Sequence, residues 1–375
     1  MQRISKLLAL LLALALLAVA CGGGDDADTA AGVDTEEAEE AATTTEAPVE
    51  TTTTTAAPTT TTEPVPEGPV FPLTGVVLEG GDDGDHAAVV VKISNNDANA
   101  RAALDGLDEA DIVFEERIEV EATRFAAVFH SSLPEQVGSV RSGRTSDINI
   151  VANLNRPVFA FSGANDGVHG QLRSAEGDGV LLRASADFGD TQFNRISEFS
   201  APDNLVADVS RLVDVAPVDS EAPNAIFDYS NNVAELGRRS PGVNVEARSD
   251  AQYVWSGSAG GYLRFQGGVP HVTRDDVHIT PANVIVLTTT YVPSVVDSAS
   301  VDAVTIGEGR VEVYSNGARV VGTWSREFPR DPYTLTTADG EPIGLAPGQT
   351  WVSLSPALTS TELTDAEAEE IASGS

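Results

Sequence analysis

The sequence predicts an α+β protein in which a mixed α/β domain is followed by a mainly β domain. Apolar residues make up 41% of the chain and aromatic residues only 6%, so the cores must consist mostly of valine, isoleucine, leucine and alanine. After residue 216, short alternating runs separated by proline and glycine dominate, and Asn316-Gly317 is a strong signal for a two-residue hairpin turn. These observations predict the mixed α/β domain over residues 70–215 and the mainly β domain over residues 216–356.

The first twenty residues have the pattern of a secretory signal peptide. Arg3 and Lys6 precede an apolar run that is too short for a membrane span of roughly 20 residues. Cys21 follows and is the only cysteine of the chain, an arrangement typical of a bacterial lipobox, although Ala18 stands where leucine is usual. We therefore predict that Cys21 is lipidated, with palmitate, and anchors the protein at the extracytoplasmic face of the cell membrane. The alternative is a soluble secreted protein with an incidental cysteine.

Residues 21–69 are rich in threonine, proline and acidic side chains. Such a segment buries too little apolar surface to offset its ordering entropy, so we predict a disordered stalk between the anchor and the fold. Threonine beside proline is also typical of O-glycosylated stalks, which leaves glycosylation open. At the other end of the chain, residues 357–375 form an acidic tail with weak helical character.

Hydrophobic periodicity predicts the first strands of the mixed α/β domain. Residues 87–96 form a buried strand that ends at Asn95-Asn96, and a short helix or turn over residues 99–111 follows. A charged stretch over residues 110–147 comes next. Its alternation changes phase near Thr123, which predicts two strands with a bulge or tight turn between them.

Helices are expected after this charged stretch. Ser146 is predicted to cap a helix within residues 142–156, and a later helix within residues 201–216 places Leu205 in the core. Between them, residues 157–172 predict a buried strand, a glycine-rich loop and a helix. Ligands in α/β folds often lie beyond the ends of such strands. The polar residues that follow this strand, Asn165, Asp166 and His169, are therefore candidate binding residues, and Asn96 at the end of the earlier strand is another.

Composition excludes several classes of function. The formal net charge is −35, with 57 acidic against 22 basic residues, so nucleic acid and anionic lipid headgroups are not expected partners. The chain has no phosphate-binding loop, no dinucleotide-binding fingerprint and no nucleophile elbow. Its five histidines lack metal-ligand spacing and the body has no cysteine, so we predict no metal and no cofactor.

The charged stretch supplies the candidate site. Glu119 and Glu121 share one strand face at a separation that suits acid/base work on glycosidic bonds. Arg141 and Arg144 precede a helix and are suited to hold a carboxylate or a phosphate, because a guanidinium forks onto either group. Two alternatives stay open. The glutamates are also consistent with a half-exposed strand presenting Glu-Arg pairs to water, and the arginines with internal neutralisation of those glutamates.

A series of short motifs extends over both domains. They are Asn95-Asn96, Ala100-Arg101, ADIVFE at 110–115, IEVEATR at 118–124, VGSVRSGR at 137–144, APDNL at 201–205, and the later segments YVW, GYLRF, NVIVL, GTW and PGQTWVSLSP. This series resembles the YerB-like bacterial lipoproteins, whose two domains have no assigned function. The resemblance covers roughly residues 71–356 and implies a cell-surface lipoprotein without an agreed reaction.

Departures from the family pattern reduce the number of candidate site residues. Val120-Glu121 stands where the family has Gly-Gly, so Glu121 is peculiar to this chain and Glu115 and Glu119 remain as candidate catalytic acids. Asp203 stands where the family has histidine, so chemistry that requires that imidazole would be lost. The residues that match the family and carry charge are Glu115, Glu119, Arg124, Arg141 and Arg144.

We expect this Glu/Arg cluster to bind a component of the cell envelope, such as peptidoglycan or its peptide. A glycan-cleaving enzyme with a glutamate as general acid is one alternative. A scaffold for basic protein partners, which the sequence does not identify, is another. The mixture of arginines and glutamates favours a polar recognition site over a pair of catalytic acids.

Overall fold

The computed structural model describes residues 68–78, 84–119, 122–218, 220–246, 249–357 and 359–374. The predicted signal peptide, the lipidation site at Cys21 and nearly all of the predicted stalk lie outside this range, as do Val120 and Glu121. Among the described residues, no helix is both long and apolar enough to cross a membrane.

The first part of the described chain alternates strands with short helices. Its elements are β1 (Val89–Asn95), α1 (Ala98–Ala102), β2 (Ile112–Arg117), β3 (Thr123–Phe129), β4 (Val137–Gly138), α2 (Ser146–Val151), β5 (Val158–Phe161), α3 (Asp166–Gly177), β6 (Leu182–Ser185), β7 (Phe193–Arg195), β8 (Leu205–Ala207) and α4 (Val209–Val213). Strands β1, β3 and β5 are buried along their whole length, as expected for apolar runs covered on both faces.

The second part is built mostly of strands. Its elements are α5 (Val233–Leu236), β9 (Arg238–Arg239), β10 (Gly242–Val245), β11 (Ala251–Ser256), β12 (Gly261–Gln266), β13 (Val269–Pro270), β14 (Asn283–Thr288), β15 (Tyr291–Pro293), β16 (Val301–Ala303), β17 (Gly307–Ser315), β18 (Ala318–Arg326), β19 (Thr334–Thr337), β20 (Thr350–Ser355), β21 (Ser360–Glu362) and α6 (Asp365–Ser373). The predicted hairpin turn joins β17 to β18, with φ of 50° at Asn316 and 69° at Gly317.

One large sheet runs through both parts of the chain. Its strands lie in the order β19-β18-β17-β14-β20-β2-β3-β1-β5-β6, and β9 pairs with β18. Strand β20 lies between β14 and β2 and is parallel to both, with Trp351 opposite Val113 and Val352 opposite Ile285. A smaller sheet has the order β13-β12-β11-β10-β21. A strand from near the end of the chain therefore completes the sheet that the first part begins.

Apolar side chains pack on both faces of the large sheet. On what we call the first face, Phe114 and Val128 pack in one core with Trp324. On the second face, the rings of Phe125 and Trp351 meet edge to face with centroids 5.0 Å apart. Successive side chains along a strand point alternately to the first and the second face.

The predicted α+β class is confirmed, with a strand-rich second part. The phase change near Thr123 separates β2 from β3, which pair antiparallel. Two local predictions are wrong. Ser146 is not the cap of α2, because its hydroxyl hydrogen-bonds Glu116 while Thr145 occupies the cap position. Leu205 begins strand β8, which pairs with β7, and the helix α4 starts only at Val209.

Candidate functional site

The sheet divides the predicted site residues between its two faces. Arg124 on β3 lies opposite Glu116 on β2 and opposite Ser94 on β1, and these three residues share the first face. Glu115 precedes Glu116 on the same strand and therefore points to the second face. The predicted cluster is thus two separate groups of polar residues.

The group on the first face contains three of the predicted arginines, and we call it the arginine cluster: Arg124, Arg141 and Arg144, with Glu119. Arg144 hydrogen-bonds the carboxylate of Glu119 through Nε and Nη2, with 3.0 Å between Nε and Oε2. Its Nη1 donates to the carbonyl of Gly143 at 2.9 Å. Arg124 donates from Nη1 to the carbonyl of Ser142 at 2.9 Å. The cluster therefore owes its shape to backbone carbonyls as well as to carboxylates.

Burial and neighbouring charges shift the pKa values of residues in the arginine cluster. Burial and the nearby guanidiniums of Arg144 and Arg141 lower the pKa of Arg124 to about 10. Burial alone would raise the pKa of Glu119, but Arg144 and hydrogen bonds outweigh it and the pKa is lowered. Glu119 is therefore an ionised hydrogen-bond acceptor at neutral pH, and the arginines around it repel one another.

Arg141 is the arginine of the cluster with the weakest internal partner. The carboxylate with which it pairs among the described residues is that of Asp203, whose Oδ1 lies 3.8 Å from Nη1. This separation is too long for a hydrogen bond. The side chain keeps 19% of its surface exposed, so it can reach an incoming anion. Asp203 is the position at which the family pattern has histidine.

Several buried polar atoms around Arg124 have no hydrogen-bond partner among the described residues. They are Arg124 Nε, Ser94 Oγ and Ser139 Oγ, while Oδ1 of Asn96, which follows β1, is also buried without a partner in the described part of the chain. Ser94 lies opposite Arg124, and its backbone N–H donates to the carbonyl of Ser139 at 2.9 Å, so Ser94 is a neighbour of both residues. Buried polar groups are nearly always hydrogen-bonded, so these unpartnered atoms are exceptions that require an explanation.

A buried charge network that the sequence analysis missed lies beside the cluster. Lys92 on β1 pairs with Glu116 and, at 2.6 Å, with Asp147, and all three side chains are buried. Burial raises the pKa of Asp147 to about 6, against the opposing effect of Lys92. One sequence signal was present, because Lys92 is the only lysine outside the first six residues and lies in an apolar strand.

The carboxylate of Glu115 is hydrogen-bonded by neighbouring side chains on the second face. Its carboxylate accepts from the hydroxyl of Thr123 at 2.8 Å, from Nη2 of Arg264 at 3.1 Å and from the indole nitrogen of Trp351 at 3.1 Å. Glu115 is 3% exposed. The expectation that Glu115 joins the arginines in one cleft is wrong, because a step of one residue along a strand reverses the direction of the side chain.

Asn165 and Asp166 lie at the start of α3, just after a loop whose residue Gly163 accepts a hydrogen bond from Gly143. Asn165 is the helix cap, with Oδ1 accepting from the N–H of Val168 at 2.9 Å, and its Nδ2 donates to Asp297 at 2.8 Å. Asp166 is exposed in the first turn, where a carboxylate favours the helix dipole. Local stabilisation accounts for both residues.

The second part of the chain closes one side of the arginine cluster. The hairpin of β15 and β16 places Ser300 Oγ 3.4 Å from Glu119 and Ser294 Oγ 3.0 Å from the hydroxyl of Thr145. Asp302 also hydrogen-bonds Thr145. The two parts of the chain therefore meet at this site, which no local pattern in the sequence indicates.

Comparisons with known proteins give the family. Residues 73–221 match the N-terminal domain of a family described as proteins of unknown function (DUF3048), and residues 242–352 match its C-terminal domain. The chain belongs to this YerB-like family. It is 26% identical over 310 residues to a Bacillus subtilis (strain 168) protein named "Putative lipoprotein YerB", and the match covers 79% of this chain and 89% of the relative.

A solved relative has the same fold. The crystal structure of the YerB protein from Bacillus subtilis superposes with a TM-score of 0.68 at 22% identity, covering 79% of this chain and all of that chain. At this identity the likeness establishes the fold and carries no information on a ligand. The family resemblance inferred from the motifs is confirmed, and the family has no assigned reaction.

Proposed function

We propose that this YerB-like protein is anchored by lipidated Cys21 at the extracytoplasmic face of the membrane and binds an anionic component of the cell envelope. The proposed ligand is the carboxylate-bearing peptide of peptidoglycan, held by Arg124, Arg141 and Arg144. The anchor is supported by the signal-like first twenty residues and by the lipoprotein name of the Bacillus subtilis relative.

One observation carries the binding proposal. Three arginines meet on one sheet face beside buried Ser94 Oγ, Ser139 Oγ and Arg124 Nε, which have no partner among the described residues. An incoming carboxylate would satisfy these donors and relieve the repulsion between the guanidiniums. Charge-assisted hydrogen bonds of this kind are roughly twice as strong as neutral ones.

The overall charge adds selectivity. The full chain, including its acidic stalk, has a net charge of −35, so the protein as a whole repels long polyanions. A short peptide carboxylate can enter the local site at the arginine cluster, whereas a nucleic acid or an anionic membrane meets the repulsive surface first.

Co-sedimentation tests the proposal. The full chain, solubilised in detergent, should sediment with purified cell-wall sacculi in physiological salt. Arg141→Gln should weaken sedimentation about tenfold, because it removes a charge-assisted contact. Arg173→Gln is the matched control, since Arg173 is exposed on α3 and is not a member of the cluster, and it should sediment like the unaltered chain.

Two results would contradict the binding proposal. One is no sedimentation by a folded chain. The other is equal sedimentation by the Arg141→Gln and Arg173→Gln variants. Recovery of a protein partner together with absence of sacculus binding would instead favour the scaffold alternative.

The glycan-cleaving alternative has less support. A general acid needs a pKa raised towards neutrality, whereas the pKa of Glu119 is lowered beside Arg144. Glu115 is buried and bound to Arg264 and Trp351. Mass spectrometry of sacculi incubated with the protein tests this alternative directly, because an enzyme would release soluble muropeptides and Glu119→Gln would abolish their release.

A further inference from the structure

A cleft of about 500 Å³ lies beyond the carboxyl ends of three adjacent parallel strands, β14, β20 and β2. Thr288 ends β14, Arg117 ends β2, and Pro356 follows β20, and all three residues line the cleft. Ligands in open sheets bind beyond the carboxyl ends of parallel strands. The volume is in the range of small-molecule sites. No member of the arginine cluster lines this cleft.

Arg117 supplies the cation of the cleft. Its guanidinium carbon lies 5.1 Å from the ring centroid of Tyr291, and its backbone N–H donates to the Tyr291 hydroxyl at 3.0 Å. Tyr291 is fixed in turn, because its hydroxyl donates to the carbonyl of Leu354 at 2.7 Å. Within the described ranges, Nε of Arg117 is buried without an acceptor and no carboxylate pairs with its side chain. A guanidinium that is held by stacking and has no counter-ion within the described ranges is suited to bind a carboxylate.

The rest of the lining supplies an anion and an apolar wall. Glu308 is exposed and lines the cleft, while the partly exposed Val304 and Ile306 give it an apolar surface. Trp324 is rigidly placed, since its indole nitrogen donates to the carbonyl of Thr288 at 2.9 Å. One cation, one anion and an apolar wall in one cleft match a small molecule that carries both charges and an apolar group.

We propose that this cleft binds an apolar amino acid, either free or as a short peptide with both termini free. The carboxylate binds Arg117, the ammonium group binds Glu308, and the apolar side chain packs against Val304 and Ile306. The site is additional to the envelope-binding site and shares no residue with the arginine cluster.

Isothermal titration calorimetry of the full chain in detergent tests the proposal, with leucine and leucyl-leucine as probes. At least one of them should bind, and the tighter of the two identifies the free amino acid or the peptide as the preferred form. Leucinamide, which lacks the carboxylate, and N-acetylleucine, which lacks the ammonium group, should each bind at least tenfold more weakly.

Substitutions of Arg117 and Glu308 test which residue binds each charged group of the ligand. Arg117→Gln should weaken binding of the better probe about tenfold or more, and Glu308→Gln should weaken it several-fold. Because Glu308 is exposed, its substitution leaves the fold intact and keeps the test valid even if Arg117→Gln destabilises the sheet. Arg310→Gln is the matched control, since Arg310 pairs with Glu312 outside the cleft lining and should not change affinity.

The proposal is overturned if neither probe binds, if leucinamide and N-acetylleucine bind as well as leucine, or if Glu308→Gln leaves affinity unchanged. Sacculus sedimentation separates this site from the proposed function. Glu308→Gln should leave sedimentation unchanged, and Arg141→Gln should leave leucine binding unchanged.

Discussion

Arg264 on β12 and Glu115 on β2 form a buried ion pair, although the two residues are 149 positions apart in the chain. The distance from Nη2 to Oε2 is 3.1 Å, and the two side chains are 0% and 3% exposed. The guanidinium carbon of Arg264 also lies 4.5 Å from the ring centroid of Trp351. The pair therefore joins the small sheet, through β12, to the second face of the large sheet.

Glu115→Gln should destabilise the protein strongly, because it leaves the charge of Arg264 buried without compensation. Removal of one partner from a buried pair costs about 3–5 kcal/mol, and urea unfolding measures the loss. Asp365→Asn is the matched control, since it breaks the exposed pair with Arg239 and should leave the unfolding midpoint nearly unchanged. Equal effects of the two variants would show that the buried pair has no special role.

Asp111 should make stability depend on pH. Burial raises the pKa of Asp111 to about 6, against hydrogen bonds from Ser131, whereas an unfolded aspartate titrates near about 3.9. Between these values the folded state binds more protons than the unfolded state, so this group's contribution to stability falls as pH rises from about 4 to about 6.

Asp111→Asn removes this contribution while keeping an acceptor for the N–H of Ser131, which lies 2.9 Å from Oδ2. Relative to the unaltered chain, the variant should lose less stability from pH 4 to pH 6, by up to about 1.4 kcal/mol per pH unit. Chemical unfolding at pH 4, 5, 6 and 7 measures the difference. Parallel stability curves for the two proteins would exclude the titration of Asp111 in this window.

Glu119→Gln should increase binding of the full chain to sacculi. The carboxylate of Glu119 occupies two nitrogens of Arg144 and opposes the charge of the arginine cluster, so its neutralisation frees Arg144 for an external anion. We expect a gain of about threefold, equivalent to less than about 1 kcal/mol, by quantitative co-sedimentation. Glu176→Gln, which breaks the separate pair with Arg183, is the control. A loss of binding would mean that Glu119 contacts the ligand directly.

Asn165→Ala should lower the free energy of unfolding by about 1 kcal/mol, because α3 loses its cap. Asn165→Ser keeps an oxygen that can cap the helix and should recover most of this loss. Neither variant should alter sacculus binding, since Asn165 lies outside the arginine cluster. Reduced sedimentation by the folded Asn165→Ser variant would instead place this amide in the binding site.

Local pattern predicted much of the fold. Alternation of apolar residues marked β1, β2 and β3, and the phase change near Thr123 marked the boundary between the last two. Asn316-Gly317 marked the turn between β17 and β18, because few residues other than glycine and asparagine tolerate positive φ there. The helix expected around Leu205 was wrong because apolar residues in a short run fit either period, and pairing with β7 decided in favour of a strand.

The sequence alone determined the family and the α+β class, because these follow from order along the chain, but it grouped Glu115 with the arginines. Tertiary structure decided which charges meet. Glu115 and Glu116 are adjacent in sequence yet face opposite sides of the sheet, and their partners are Arg264, 149 residues away, and Lys92, 24 residues away. The cleft at Arg117 exists only because β20 inserts between β14 and β2, far from either in sequence. Pairing of strands that are far apart in sequence depends on how the whole chain packs. A short stretch of sequence does not contain this information.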